Sequence, residues 1–158
     1  VVTTNCSNNF GPMQHKEKLI PTIISRALAL KQIPIYGTGM NIRDWLYVED
    51  HCVAIELVFQ RGKAGETYLI GGNNEKTNLE IARIVCEILD IEKADLKQQS
   101  SINSFKDLIT FVEDRAGHDY RYAIDMSKIT KLGWSSSNDF EGNLRKTIKH
   151  YVNEGIEY

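Results

Sequence analysis

Short β-branched or aromatic runs alternate with segments of helical period along the chain, and this alternation limits the fold more than any other feature. Residues 1–6 read as a strand, followed by a polar turn at Ser7, Asn8 and Asn9 and a loop punctuated by Gly11 and Pro12. Across 18–30, Ile20, Ile23, Ile24, Ala27 and Leu28 fall at helical spacing, with Pro21 early enough for the first turn. A strand over 33–36 ends in G-T-G, and Trp45, Leu46, Tyr47 and Val48 supply the next strand. Asp50 is the expected N-cap of a helix bearing Cys52, Ile55, Val58 and Phe59 and ended by Gly62. A strand over 67–70 precedes the turn G-G-N-N. Thr77 and Glu80 then form a T-x-x-E box opening a helix whose inward face is Ile81, Ile84, Val85, Ile88 and Leu89. Residues 92–107 read as loop, 108–112 and 122–124 as strands. Asp125 caps a short helix ended by Gly133, and 140–152 form a last helix with Phe140, Leu144, Ile148 and Tyr151 on one face. The class is α/β with a partly parallel sheet.

Composition narrows the function classes. Of 158 residues, 42% are apolar and 25% charged, so a single core is within reach without staples. The net charge is −2 with both signs interspersed, which argues against nucleic acid as a partner. No apolar run approaches the ~20 residues of a membrane span, and the chain does not open like a secretory leader. Cys6, Cys52 and Cys86 are widely spaced and lack a C-x-x-C pattern, which reads as reduced thiols of a cytoplasmic protein. The β-branched run beginning at Val1, with no turn or cap before it, is expected to be part of a longer chain.

Several stretches carry candidate chemistry. In N-I-R-D-W-L-Y-V-E-D, Arg43 and Asp44 run directly into an apolar strand; a solvated strand end and a ligand contact are both open readings. Y-G-T-G-M-N lacks the third glycine of a dinucleotide fingerprint and leads into a strand, so it has no helix N-terminus for a pyrophosphate. Asn8 and Asn9 follow a strand end, where open α/β sheets place ligand contacts, although a plain Asx turn is the simpler reading. E-D-R-A-G-H-D-Y-R-Y-A-I-D sets Arg115, His118 and Arg121 around a glycine, which suits a diphosphate as well as it suits a solvated loop. Metal-ligand and serine-hydrolase motifs do not occur, and no metal is expected.

Taken in order, N-C-S-N-N-F-G-P, E-K-L-I-P, I-P-I-Y-G-T-G, I-R-D-W-L-Y-V-E-D-H, E-T-Y-L-I-G-G, K-T-N-L-E and D-R-A-G-H-D-Y-R-Y-A-I-D resemble the C-terminal portion of the dTDP-glucose 4,6-dehydratase family. That family belongs to the extended short-chain dehydrogenase/reductases. The resemblance covers essentially the whole chain. It implies the C-terminal part of an NAD(P)-binding Rossmann-type fold: a smaller α/β substrate-binding lobe from 15–39 and 76–158, and the last strands of the Rossmann sheet from 1–14 and 40–75. It implies substrate contacts at Asn8, Lys18, Leu19, Pro34, Ile35, Tyr36, Arg43, Asn78, Asp114, Arg115, Ala116, Gly117 and His118. Arg43 and Arg115 would hold the diphosphate, and Asn9 would lie at the nicotinamide end of NAD. Ala116 stands where the family has proline, Phe10 where tyrosine is common, and M-Q-H-K where an aromatic-proline pair is usual.

The reaction so implied converts dTDP-glucose to dTDP-4-keto-6-deoxyglucose and water, in rhamnose-type deoxysugar synthesis. Its glycine fingerprint, Tyr-x-x-x-Lys pair and Asp-Glu acid/base pair are expected before Val1. This chain is therefore expected to hold no catalytic residue and to be inactive alone. The parent is expected to be a homodimer, and the isolated chain to self-associate through an exposed sheet edge. A related epimerase or decarboxylase, and a free-standing sugar-nucleotide-binding module without catalysis, are the alternatives.

Overall fold

The computed structural model describes residues 1–114, 117, 119–121 and 124–154. In chain order these form β1 (Thr3–Cys6), β2 (Asn8–Phe10), α1 (Leu19–Leu28), β3 (Ile33–Tyr36), β4 (Ile42–Tyr47), α2 (Val48–Arg61), β5 (Thr67–Ile70), β6 (Glu75–Thr77), α3 (Asn78–Glu92), α4 (Ala94–Gln99), a 3-10 turn (Phe105–Leu108), β7 (Ile109–Val112), α5 (Ser127–Thr130) and α6 (Phe140–Glu154).

Three small sheets result. β1 and β5 pair in parallel, as expected, with Thr3 opposite Thr67 and Cys6 opposite Ile70. β3 and β7 also pair in parallel. In the third sheet β4 is the central strand, parallel to β2 and antiparallel to β6. The period of two along β4 divides the interior. Trp45 and Tyr47 pack with α1, α3 and α6 in the larger core, whereas Leu46 faces Ala54, Val58, Tyr68, Ile70, Ile129 and Trp134 in a smaller one.

The helices with clear apolar stripes follow their patterns. α1 buries Ile20, Ile23, Ile24 and Ala27, and α6 buries Phe140, Leu144, Ile148 and Tyr151. α3 is opened by a full capping box: Glu80 accepts from the Thr77 amide at 2.7 Å, and the Thr77 hydroxyl accepts from the Glu80 amide at 3.1 Å.

Four expectations are corrected. Ser7 to Asn9 is not a turn, because Asn8–Phe10 pairs with β4. β6 is an additional strand. Its E-K-T sequence has no apolar pattern, and it forms because the G-G-N-N turn folds it back onto the start of β4. Residues 92–107 contain α4 and the 3-10 turn; α4 buries no residue and so has no apolar period to read. Asp50 is not an N-cap, since α2 begins two residues earlier, directly out of β4. Its carboxylate instead accepts from the Ser137 amide at 3.0 Å and hydroxyl at 2.6 Å. α2 turns Ala54 and Val58 inward and leaves Cys52, Ile55 and Phe59 exposed, because narrow sheets cover only one stripe of it. The strand expected over 122–124 includes Tyr122 and Ala123, which lie outside the described residues; just before them, Arg121 bridges Ile42.

Replacing Thr77 with Ala should destabilise the chain by about 1 kcal/mol in urea denaturation at neutral pH. Hydrogen bonds from Thr77 hold the Glu80 carboxyl below its ordinary 4.5. The box is therefore fully formed above pH 4.5 and is lost as pH falls through the lowered folded value. The difference between Thr77→Ala and the unmodified chain should shrink in acid accordingly.

Candidate functional site

Arg43 and Asp44 sit on consecutive positions of β4 and therefore point to opposite faces. Neither is solvated: Arg43 is 7% exposed and Asp44 6%. The Asp44 carboxylate accepts from the Gly72 amide and the Asn74 amide, each at 2.7 Å, and so fastens the G-G-N-N turn to the sheet. Gly72 has no room for a side chain there, since a Cβ would lie 1.8 Å from the Trp45 carbonyl oxygen. The surface ion-pair reading of R-D is thereby overturned.

On the other face, the Arg43 guanidinium donates to the Asp119 carbonyl at 2.8 Å and to the Ile42 carbonyl at 2.7 Å. Asn41 donates to the same Asp119 carbonyl at 3.2 Å. These bonds bring the segment of Gly117 and Asp119 to the mouth of β4, where it closes one side of a cavity of about 680 Å³.

The walls of that cavity come from five elements. β2 contributes Asn8, α1 and the residue before it contribute Lys18 and Leu19, and β3 contributes Pro34, Ile35 and Tyr36. β4 contributes Arg43 and the start of α3 contributes Asn78, with Gly117 opposite. Nine of the residues expected at the substrate site thus converge from across the chain. Asp114 sits beside β3, where a Cβ on Gly37 would meet its carboxylate at 2.8 Å; Gly37 has φ 57°, a conformation that favours glycine. Arg115, Ala116 and His118 lie outside the described residues.

Asn9 is turned away from this cavity by the alternation of β2. Its Oδ1 lies 2.8 Å from His51 Nδ1, and its Nδ2 donates to the Ser7 carbonyl at 3.0 Å and toward Cys6 Sγ at 3.2 Å. Burial pushes the His51 imidazole below its ordinary pKa, so the contact is one between neutral groups.

The cavity also takes in Glu17, Thr22, Arg26, Trp45 and Asp119, none of which was a candidate. Three of these share a face with a candidate residue. Trp45 is two residues beyond Arg43 and shares its face of β4, and Thr22 and Arg26 continue the Leu19 face of α1 at helical spacing.

The family model for GDP-mannose 4,6 dehydratase matches residues 1–147. The chain belongs to this family. Within this dehydratase family, the chain is 51% identical to the dTDP-glucose 4,6-dehydratase of Neisseria gonorrhoeae over 152 residues, 96% of this chain and 43% of that protein. The dTDP-glucose 4,6-dehydratase of Bacillus anthracis str. Ames, solved in complex with NAD, superposes with a TM-score of 0.82 at 42% identity, over 96% of this chain and 44% of that one. That of Streptomyces venezuelae, solved with NAD and TYD bound, gives 0.82 at 40% identity over 96% and 44%. The chain thus spans less than half the length of the relatives it matches. Its architecture is the expected C-terminal portion of an extended short-chain dehydrogenase/reductase.

Replacing Asp44 with Ala leaves two backbone amides without their acceptor and should cost about 2–4 kcal/mol in urea denaturation. Asp44→Asn keeps one acceptor oxygen and should recover part of that loss.

Proposed function

We propose that this chain is the substrate-holding portion of a dTDP-glucose 4,6-dehydratase, which converts dTDP-glucose to dTDP-4-keto-6-deoxyglucose and water. The observation that carries the reading is the convergence of Asn8, Lys18, Leu19, Pro34, Ile35, Tyr36, Arg43, Asn78 and Gly117 on one cavity. Its volume of about 680 Å³ lies within the range of small-molecule sites. Identity of about half to proteins named for this activity supports it further.

In this reading the planar guanidinium of Arg43 grips the diphosphate, with Arg115 as its second clamp, and Leu19, Pro34 and Tyr36 form apolar walls beside it. Asn8 and Asn78 present carboxamides, which both donate and accept and so suit sugar hydroxyls. Segments 15–39 and 76–158 form the substrate lobe, and 1–14 with 40–75 belong to the end of a Rossmann sheet. NAD is the hydride carrier of the whole reaction. Asn9 is the one described position assigned to it, where its carboxamide meets His51, Ser7 and Cys6. The chain's own contribution is therefore grip on the substrate.

The whole protein is read as a cytoplasmic homodimer, in keeping with free thiols at Cys6, Cys52 and Cys86. Among the described residues no helix is long and apolar enough to cross a membrane. β1 pairs only with β5 among the described strands, so its other edge is open to a neighbour. Light scattering of this chain should show association that grows with concentration; a monomer at all concentrations would remove the edge as a contact.

Calorimetric titration of dTDP-glucose tests the central reading. Arg43→Ala should weaken binding by about 1.5–3 kcal/mol, the range for hydrogen bonds to charged groups. Arg43→Lys should recover only part, since a point charge lacks the fork. A change within about 0.5 kcal/mol would reduce Arg43 to a loop anchor. With NAD supplied, the chain alone should form no 4-keto product.

A further inference from the structure

Residues 119–121 are fastened to the start of β4 on both faces of the sheet. Their main chain meets the strand directly: the Ile42 amide donates to the Tyr120 carbonyl at 2.8 Å, and Arg121 bridges Ile42 in parallel register. On the cavity face, the Asp119 carbonyl accepts from Arg43 Nη2 at 2.8 Å and from Asn41 Nδ2 at 3.2 Å. The Tyr120 carbonyl lies 3.4 Å from Arg43 Nη1. On the other face, Arg121 reaches across to β6, where its Nε donates to Glu75 Oε1 at 2.9 Å and its Nη2 to Oε2 at 2.8 Å. Glu75 stands opposite Asp44 in the β4–β6 pairing, and directly opposed residues share a face. Glu75 and Arg121 therefore lie with Asp44, behind the strand that presents Arg43 to the cavity.

An isolated exposed ion pair contributes little, but a carboxylate held by two parallel N–H bonds of one guanidinium has a fixed geometry as well as a charge. This pair is of the second kind. It anchors the chain two residues beyond the Asp119 carbonyl, which in turn orients Arg43. Resting on the reading of Arg43 as the diphosphate grip, we propose that Glu75 is a positioning residue for the substrate. It acts through Arg121 and residues 119–121, keeping the Asp119 carbonyl where it aims the Arg43 guanidinium into the cavity. A guanidinium has five N–H donors, so bonds to the Ile42 and Asp119 carbonyls are compatible with a phosphate as a further acceptor. Bidentate contact with a phosphate needs the planar fork in one orientation. With the fork tied to main-chain carbonyls, its rotamer freedom is lost on folding rather than on binding, which strengthens binding. Without Glu75, the carbonyl that orients the fork is less firmly held, and substrate must order Arg43 itself.

The test pairs calorimetric titration of this chain with dTDP-glucose and amide hydrogen exchange of the free chain. Glu75→Ala and Arg121→Ala should each weaken binding about fivefold. The double variant should be no weaker than either, because one contact is lost in all three. The Arg43→Ala background separates positioning from a general structural role: there Glu75→Ala should add less than about twofold. The same weakening in both backgrounds overturns the proposal, since Glu75 then shapes the cavity without acting through Arg43. In hydrogen exchange, Glu75→Ala should speed the Ile42 amide roughly fivefold. The Ser7 amide, bonded to the Ile70 carbonyl at 3.0 Å, should keep its rate. Unchanged exchange at Ile42 overturns the proposal even if binding falls. Glu75→Gln keeps one acceptor oxygen and should lie between the unmodified chain and Glu75→Ala. If Glu75→Ala shows no cooperative unfolding in urea, the same readings are taken on Glu75→Gln. If Arg43→Ala weakens binding and Glu75→Ala does not, the cavity reading stands and the positioning role falls. If Arg43→Ala has no effect, or dTDP-glucose does not bind the unmodified chain, both fall.

Discussion

The hydrogen bonds from the Gly72 and Asn74 amides to the buried Asp44 carboxylate are the constraint on which the site depends. They hold the turn that returns β6 alongside β4, and β6 leads without a break into α3, placing Asn78 in the cavity wall. A charged acceptor serving two backbone donors is stronger than a neutral one. Burial of that carboxylate is tolerable because both of its oxygens are used. The same strand carries Arg43 on its opposite face, so one dipeptide fastens the scaffold on one side and lines the site on the other.

The cavity is a gap between layers rather than a feature of any one element. Asn8 and Arg43 come from the three-stranded sheet, Lys18 and Leu19 from α1 and its approach, and Pro34 to Tyr36 from the β3–β7 pair. The spacing of these layers is set by the larger core, where Phe10, Trp45 and Tyr47 from the sheet meet α1, α3 and α6. The Phe10 ring lies tilted against those of Tyr47 and Phe140, with centroids 5.5 and 5.2 Å away, joining β2, β4 and α6 at one point.

Much of this was legible in the residues. α1, α3 and α6 have the 3.6-residue stripe of a helix with one buried face, and those faces turn inward, with Leu28 and Ile84 only half-buried at their margins. α2 offers no single inward face to read because its sequence is apolar on more than one side; Ile55 and Phe59 carry the same signal as Val58, yet the sheets beneath reach only Val58 and Ala54. β2 and β6 are three residues each, too short for a period of two to rise above chance. Their strand character comes from pairing with β4. Thr22 and Arg26 were overlooked because polar residues on the outer face of a helix look the same whether they meet water or a cavity.

The sequence by itself determined the α/β class, the faces of the three patterned helices and the family. These follow from local periodicity and from motifs that are contiguous along the chain. Tertiary structure alone decided that Arg43 and Asp44 are buried and oppositely engaged, that Asn9 turns toward His51, and that Thr22 and Arg26 stand in the same cavity as Arg43. Each of those outcomes depends on what lies across from a residue, and its neighbour in space is in most cases tens of positions away in the chain. Local patterns of hydrophobicity and charge record which way a side chain can point, but not what it will meet.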